Sequence, residues 1–232
     1  MIRNQTKCIK VSDTTICPYC QEQKIIKNGK TKNQKQQYYC KNCQKRFIEN
    51  YTYNGYCSNL NHNIILLTKE GLGIRSTARV LQISTNTLLK RLLKTAKQIE
   101  NPIISLGKKY QVDEMRTYIK HKGNLIWLVY ALENQTKNVV CFNIGKRTNK
   151  TLNFVLQSLK LAKAKTIFTD GLKNYRYLIS KSMHCVKQFG TNHIERHNLN
   201  LRTHLKRLNR KTICYSRSLA ILSAIVKIYF WG

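Results

Sequence analysis

The chain has 232 residues, of which 42 are lysine or arginine and only 10 are aspartate or glutamate, giving a formal net charge of +32. A charge this one-sided opposes compaction unless a polyanion neutralises it, so it favours nucleic acid as the partner over an ordinary basic surface. Hydrophobic residues make up 42% of the chain, which is enough for a packed core and excludes disorder as the default. No stretch approaches the roughly 20 apolar residues of a membrane span, and the first residues lack the apolar run of a secretory signal. We therefore expect a cytoplasmic protein with no membrane partner.

Composition and chain-breaking residues divide the sequence into four segments. Residues 1–55 contain two Cys-x-x-Cys pairs and few apolar runs, and residues 56–98 show the pattern of short helices. Residues 99–109 contain a proline and a glycine, which predicts a linker. Over residues 110–232, strand-like and helix-like blocks alternate. The predicted fold class is a multidomain α+β protein.

Four of the nine cysteines form two pairs of the C-x2-C type, with 19 residues between the pairs. These cysteines are Cys17, Cys20, Cys40 and Cys43. The spacing is typical of a four-thiolate zinc site, in which two knuckles complete a tetrahedron and leave no open position for chemistry. Between the knuckles, Asn28-Gly29 predicts a hairpin turn. We expect a zinc-binding ribbon over residues 1–55, with one structural zinc ion per chain on which the folding of this small segment depends.

Residues 61–97 show the pattern of a helix-turn-helix. A first helix is predicted over residues 61–70, and Ser84 supplies the N-cap of a later helix whose leucines recur on one face. In such a motif the second helix enters the major groove of double-stranded DNA, where its first residues reach the bases and its basic residues meet phosphate. The candidate DNA-binding residues are Thr85, Asn86, Thr87, Lys90, Arg91 and Lys94. A helical hairpin that only packs has the same pattern, so this alternative stays open.

Aspartate is so rare in this chain that its positions are informative. The three aspartates are Asp13, Asp113 and Asp170. Asp113 lies in a predicted strand that two further strands follow, and Asp170 ends a fourth strand that comes after a predicted helix. Three strands and then helix and strand in alternation is the order of a ribonuclease-H-like α/β sheet, in which the first strand and the end of the fourth are neighbours. Two aspartates there could share divalent cations.

Glu195 is the candidate for a third carboxylate. It lies in a helix predicted to begin near Thr191, and it is the only side-chain carboxylate after Asp170. Basic residues surround it, so its alternative role is to offset their charge through helix pairs worth a few tenths of a kcal/mol each. The basic residues of this segment that could hold the DNA backbone are Arg196, Arg202 and Lys206.

Glu114 directly follows Asp113 in the predicted strand. Successive side chains of a strand point to opposite faces, so only one of the two acids is expected to join the site. We assign Asp113 to the site, and we expect Glu114 to be a surface acid or a charge partner.

With these features in place, the chain resembles transposases of the insertion-sequence-one family over nearly its whole length. The most specific match is IERHNLNLR at residues 194–202, and CPYC…CKNC and GLGIRSTARVL support it in the N-terminal half. The order of zinc knuckle, helix-turn-helix and catalytic domain also fits. The resemblance implies an Asp-Asp-Glu triad of Asp113, Asp170 and Glu195, with 56 and 24 residues between successive members.

This resemblance implies a DNA transposase that cleaves and joins strands with two magnesium or manganese ions per site, held by the three triad carboxylates. Its partner would be double-stranded DNA, as element ends and as target, and a homodimer or higher oligomer would hold two ends in the nucleoid of a bacterial cell. The apolar segment 218–231 is the candidate interface. Three alternatives stay open: a sequence-specific repressor with an inactive transposase domain, a metal-dependent nuclease, and a zinc-folded RNA-binding protein of the translation machinery.

Overall fold

The computed structural model describes residues 15–48, 53–187 and 189–232, which form two compact units divided after Leu60. Asp13 and other parts of the predicted 1–55 segment therefore lie outside the described residues. Over the described ranges, no helix combines the length and the apolar character that crossing a membrane requires.

The first unit contains a three-stranded antiparallel sheet of strands in sequence order. The strands are β1 (Ile25–Lys30), β2 (Gln36–Cys40) and β3 (Arg46–Ile48). The small core consists of Cys17, Cys40 and Phe47, and the ring of Tyr38 stacks on that of Phe47 with centroids 5.6 Å apart. The Asn28-Gly29 turn prediction was wrong: Gly29, with a φ of +69°, lies inside β1 at a break in the pairing register. The positive φ of Gly29 belongs to a β-bulge, and the chain reverses direction after β1 ends.

The second unit begins with three helices, close to the bounds that the sequence predicts. They are α1 (Leu60–Lys69), α2 (Ile74–Val80) and α3 (Thr85–Gln98). Ser84 is the N-cap of α3, as predicted, and its hydroxyl accepts a hydrogen bond of 3.1 Å from the Thr87 amide. Leu88 and Leu92 are buried on the inner face of this helix.

A five-stranded sheet follows, with the order β6-β5-β4-β7-β8. Its strands are β4 (Lys109–Tyr118), β5 (Leu125–Glu133), β6 (Val139–Gly145), β7 (Thr166–Phe168) and β8 (His184–Cys185). β4 pairs antiparallel with β5 and parallel with β7, so the first and fourth strands of this sheet are neighbours, as the sequence predicts. β7 is short and ends at Phe168, opposite Gln111, and beyond that point it no longer covers the edge of β4.

Helices cover both faces of this sheet. They are α4 (Asn149–Leu161), α5 (Lys173–Leu178), α6 (Asn192–His204) and α7 (Leu219–Trp231). Alternate residues of β4, Tyr110 and Val112, share a core cluster with the apolar residues of α4 and α5. On the opposite face, the Tyr130 hydroxyl contacts α6 and the Trp231 indole donates a hydrogen bond of 2.8 Å to the Val139 carbonyl. The alternation of a strand buried on both faces thus separates α4 and α5 from α6 and α7.

The apolar face of α7 packs within the chain, against α3 and β6. Leu222, Ile225, Val226 and Ile228 are all buried there. The expectation that this segment offers a subunit interface is therefore wrong, since its hydrophobic composition is used in the core of the same chain.

The turn between α1 and α2 packs closely on the end of α6. Gly71 has a φ of +75°, and a Cβ atom at this position would lie 2.0 Å from the His204 carbonyl oxygen. Residues 61–98 and the sheet therefore belong to one compact unit, although the sequence suggests a linker between them. A fragment that ends at residue 98 would lose the helix that covers the inner face of α3.

This close approach gives a prediction for Gly71→Ala. We expect the free energy of unfolding to fall by at least about 2 kcal/mol, because the new methyl group meets a backbone carbonyl and the left-handed conformation strains any L side chain. Gly73→Ala is the matched control. Gly73 has an ordinary φ of −70° and no atom within 4 Å of the new Cβ, so its variant should change by less than about 1 kcal/mol. Urea unfolding followed by tryptophan fluorescence measures both, and equal losses would contradict this packing.

Candidate active site

The open edge of β4 brings acidic side chains of two elements together. Asp113 lies on β4 two residues beyond the last residue that β7 covers, and Asp170 follows two residues after β7 ends. One carboxylate oxygen from each of Asp113, Glu114 and Asp170 lies within 4.8 Å of the others. We call these three residues the carboxylate group. Oxygen atoms of this kind and number are ligands that magnesium and manganese prefer.

The carboxylate group includes Glu114, which the sequence analysis placed away from the site. That expectation was wrong as to position, since the Glu114 side chain is only 2% exposed. Strand alternation does hold: Asp113 contacts α6, whereas Glu114 faces Arg147, which precedes α4. Strand alternation decides on which face of the sheet a side chain lies, but it does not keep neighbouring side chains apart at an uncovered edge. At the edge of β4, both carboxylates lie near Asp170.

The expected role of Glu114 as a charge partner is confirmed. Its Oε2 atom lies 3.5 Å from a guanidinium nitrogen of Arg147, whose side chain also lies over the ring of Trp127 at 4.3 Å. Burial, with smaller contributions from the charges of Asp170 and Asp113, raises the pKa of Glu114 to about 7, against the opposing effect of Arg147. Glu114 Oε1 and the Tyr175 hydroxyl are both buried and lie near each other, and a weak hydrogen bond between these side chains opposes the rise in the pKa of Glu114 and adds to the rise that burial causes in the pKa of Tyr175.

Asp113 is held by hydrogen bonds to both of its oxygens. The Glu114 amide donates to Oδ1 at 2.7 Å, and the side-chain amide of Asn198 donates to Oδ2 at 2.6 Å. Burial raises the pKa of Asp113, and the charges of Asp170 and Glu195 add to this rise, while the two hydrogen bonds oppose it. The carboxylate is thus fixed in direction and surrounded by negative charge, a state that a divalent cation stabilises.

Asp170 is exposed and is oriented by its own turn. Its Oδ1 accepts a hydrogen bond of 3.1 Å from the Leu172 amide. The preceding Thr169 is buried, and its hydroxyl lies 2.7 Å from Nε2 of His184 on the neighbouring strand β8. The sheet therefore anchors the residue before Asp170, and the carboxylate itself projects from the edge.

Glu195 lies in the first turn of α6 and outside the carboxylate group. Its side chain is exposed, and Oε1 accepts a hydrogen bond of 2.8 Å from the Thr191 hydroxyl. It is still close enough to Asp113 for its charge to contribute to the raised pKa of that residue. The structure therefore brings two of the three predicted catalytic carboxylates together and places the third nearby.

Most of the predicted DNA-binding residues have exposed side chains. On α3 these are Thr85, Asn86, Lys90 and Lys94, and around α6 they are Arg196 and Lys206. Thr87, Arg91 and Arg202 are partly buried. Arg91 lies 3.5 Å from the side-chain oxygen of Asn61 on α1, and Thr87 takes part in the N-cap of its helix. These contacts give Arg91 and Thr87 a structural role beside any contact with DNA.

The four predicted zinc ligands lie together in the first unit. Their sulfur atoms are all within 4.8 Å of one another, and the closest pairs are Cys17 with Cys43 at 3.5 Å and Cys20 with Cys40 at 3.6 Å. Four sulfurs bound to one zinc ion at about 2.3 Å lie about 3.8 Å apart, so this group fits the ion. Both knuckles have the same backbone: the residue after each pair, Gln21 or Gln44, has a positive φ and donates its amide to the carbonyl of the first cysteine.

Comparison with known proteins shows the family. The family model described as IS1 transposase matches residues 109–231. This chain belongs to the IS1 transposase family. It is 34% identical over 119 residues to the insertion element IS1 protein InsB of Shigella sonnei, a match that covers 51% of this chain and 91% of that protein. An InsB protein of Escherichia coli K12 is equally similar, with 71% of its length covered. The chain is therefore a transposase of the DDE class.

Two solved structures share a distant likeness with this transposase. One is a simian T-cell lymphotropic virus intasome in complex with PP2A regulatory subunit B56 gamma, with 18% identity and a TM-score of 0.38 over 70% of this chain and 66% of the other. The other is the HTLV-2 integrase catalytic core domain in complex with magnesium, with 18% identity and a TM-score of 0.34 over 55% of this chain and 86% of the other. A likeness at these scores gives no information about the site.

Proposed function

We propose that this transposase binds the ends of its insertion sequence and catalyses metal-dependent DNA cleavage and strand transfer with Asp113, Asp170 and Glu195. The observation that supports this most strongly is the carboxylate group at the open edge of β4. Two aspartates that are distant in sequence meet there, beside a basic helix that carries a third acid. In this proposal residues 110–232 form a ribonuclease-H-like catalytic domain, consistent with the strand order of the sheet.

Asp113, Asp170 and Glu195 would hold two magnesium or manganese ions, a proposal supported by the close approach of the Asp113 and Asp170 carboxylates. Bound divalent ions supply the positive charge that activates water or a 3′-hydroxyl and stabilises the pentavalent phosphate of the transition state. The contribution of Asp113 is a carboxylate whose direction two hydrogen bonds fix before DNA arrives. Glu195 lies on an exposed turn of α6, hydrogen-bonded to Thr191, and its charge reaches Asp113 closely enough to raise the pKa of that carboxyl.

The basic residues around the site would hold double-stranded DNA. Arg196, Arg202 and Lys206 follow Glu195 along α6 and the turn after it, so the phosphate backbone would lie beside the carboxylates. Residues 56–98 would serve as the helix-turn-helix, with Thr85 and Asn86 reaching bases at the exposed start of α3. The net charge of +32 makes this binding strongly dependent on salt, because phosphate contacts release counterions.

Residues 1–55 would form a zinc ribbon that supports DNA binding, and residues 99–109 would connect the helices to the catalytic domain. Because two element ends must be held together for transposition, the active form would be a homodimer or higher oligomer on DNA, acting at the nucleoid in the cytoplasm.

The catalytic proposal predicts that Asp113→Asn, Asp170→Asn and Glu195→Gln each reduce end cleavage by at least about a hundredfold. End binding should stay within about threefold of the unmodified protein, because affinity comes from cationic contacts to phosphate. Cleavage of labelled element ends in magnesium and a gel-shift titration measure the two properties.

Glu133→Gln is the control for this series. Glu133 is buried and accepts a hydrogen bond from Thr136, but it lies at the far end of β5 and outside the carboxylate group. Full cleavage by the Asp113 and Asp170 variants would contradict the assignment of the catalytic residues, and an unmodified protein that binds ends without cleaving them would favour a DNA-binding repressor. Full cleavage by Glu195→Gln alone would remove the third ligand.

The zinc proposal predicts one tightly bound zinc ion per chain. In the double variant Cys17→Ser with Cys40→Ser this zinc should be lost and the first unit should become sensitive to protease, because the ion provides most of its stability. Cys57→Ser, at an exposed cysteine outside the group, should keep the zinc. Elemental analysis of the purified proteins measures their zinc content, and an unmodified protein without zinc would overturn the assignment.

A further inference from the structure

Helix α6 is attached to β4 by two hydrogen bonds that involve the catalytic strand directly. The Ile194 amide donates to the side-chain oxygen of Gln111 at 2.9 Å, and the Asn198 amide group donates to Asp113 at 2.6 Å. Gln111 and Asp113 are two residues apart on a strand, a distance of about 7 Å. Ile194 and Asn198 are four residues apart on a helix, a rise of about 6 Å on one face. The two spacings match, so the pair fixes both the position and the rotation of α6.

The orientation of the Asn198 amide is itself fixed by a side chain of the neighbouring strand β5. Its Oδ1 atom accepts a hydrogen bond of 2.8 Å from the hydroxyl of Tyr130, which lies directly opposite Asp113 in the β4–β5 register. Tyr130 is fully buried, Asn198 is 6% exposed, and Nδ1 of His197 lies 3.2 Å from the same hydroxyl. The Asp113 carboxylate can only accept, so a flip of the amide would place its oxygen against a carboxylate oxygen and lose that hydrogen bond, while the present orientation satisfies both partners.

We propose that Asn198 is a positioning residue for the transposition reaction: it directs the Asp113 carboxylate toward the open edge of β4 and, through α6, sets the place of Glu195. With one oxygen held by Asn198 and the other by the Glu114 amide, Asp113 has its remaining lone pairs free on the side of Asp170. Glu195 directly follows Ile194, the residue that Gln111 holds. The hydrogen bonds of Asn198 and Ile194 to β4 therefore join Asp113 to the helix that carries Glu195, the other proposed ligand. The inference rests on the proposed function.

A merely structural Asn198 would also satisfy a buried carboxylate, so the experiment must separate stability from positioning. The readout is the affinity of the full-length protein for Mn²⁺, measured by electron paramagnetic resonance, beside thermal unfolding and end cleavage. For Asn198→Ala we expect Mn²⁺ affinity to fall about 10- to 100-fold, the usual range for loss of a hydrogen bond behind a metal ligand. Cleavage should fall with it, while end binding stays unchanged.

Two further variants complete the series. Tyr130→Phe removes one oxygen atom and keeps the ring packing, so it should fold and should lower Mn²⁺ affinity by about threefold or more because the amide loses its second anchor. Asn200→Ala is the matched control on the same helix, since Asn200 is exposed, and it should bind Mn²⁺ like the unmodified protein. If Asn198→Ala does not fold, Tyr130→Phe alone decides: affinity within twofold of the unmodified protein overturns the inference.

Asp113→Asn and Asp170→Asn separate this inference from the proposed function. If neither lowers Mn²⁺ affinity, the metal site itself is wrongly placed. If both lower it and a folded Asn198→Ala protein binds Mn²⁺ within twofold of the unmodified protein, only the positioning role is overturned.

Discussion

Mutual repulsion among carboxylates is the constraint around which the catalytic half of this transposase is built. Asp113, Glu114 and Asp170 lie within 4.8 Å of one another, and burial keeps water from screening Glu114. In a chain with only ten acidic residues, three of them meet at one strand edge. Arg147 offsets part of this charge, and hydrogen bonds to Asp113 offset more. The remaining imbalance is what divalent cations would neutralise, so in the proposed function the feature that costs stability is also the one that would bind the catalytic ions.

The carboxylate group lies at this edge because two neighbouring strands differ in length. β4 has ten residues and β7 only three, which leaves the edge of β4 uncovered where Asp113 and Glu114 lie. The sheet face that meets α6 then uses polar contacts, with Gln111 and Asp113 of β4 and Tyr130 of β5 all hydrogen-bonded to the helix. Buried polar contacts of this kind specify one arrangement of helix and sheet more narrowly than apolar packing does. The same unit includes α1–α3, so the candidate DNA-reading helix α3 and helix α6, which carries Glu195, belong to one compact unit.

The features that depend on local chemistry could be predicted from the sequence. The meeting of the four cysteines follows from their spacing, the N-cap at Ser84 from its hydroxyl, and the meeting of Asp113 and Asp170 from the order of strands. The features that only tertiary contacts determine could not be predicted from the sequence. Glu114 was excluded by a rule about faces that does not apply at an open edge, and α7 looked like an interface because its apolar residues serve the core. Asn198 contacts a residue 85 positions away, and its one visible trace was a polar side chain in an otherwise apolar stripe of α6.

The central claim is that the open edge of β4 holds the catalytic metal ions. The most direct measurement is a crystal structure of the protein with Mn²⁺, using the anomalous scattering of manganese to locate each ion. We expect manganese within about 2.3 Å of carboxylate oxygens from both Asp113 and Asp170, with Glu195 as a further ligand. Manganese that is absent from this edge at saturating concentration, or bound only by residues outside the carboxylate group and Glu195, would contradict it.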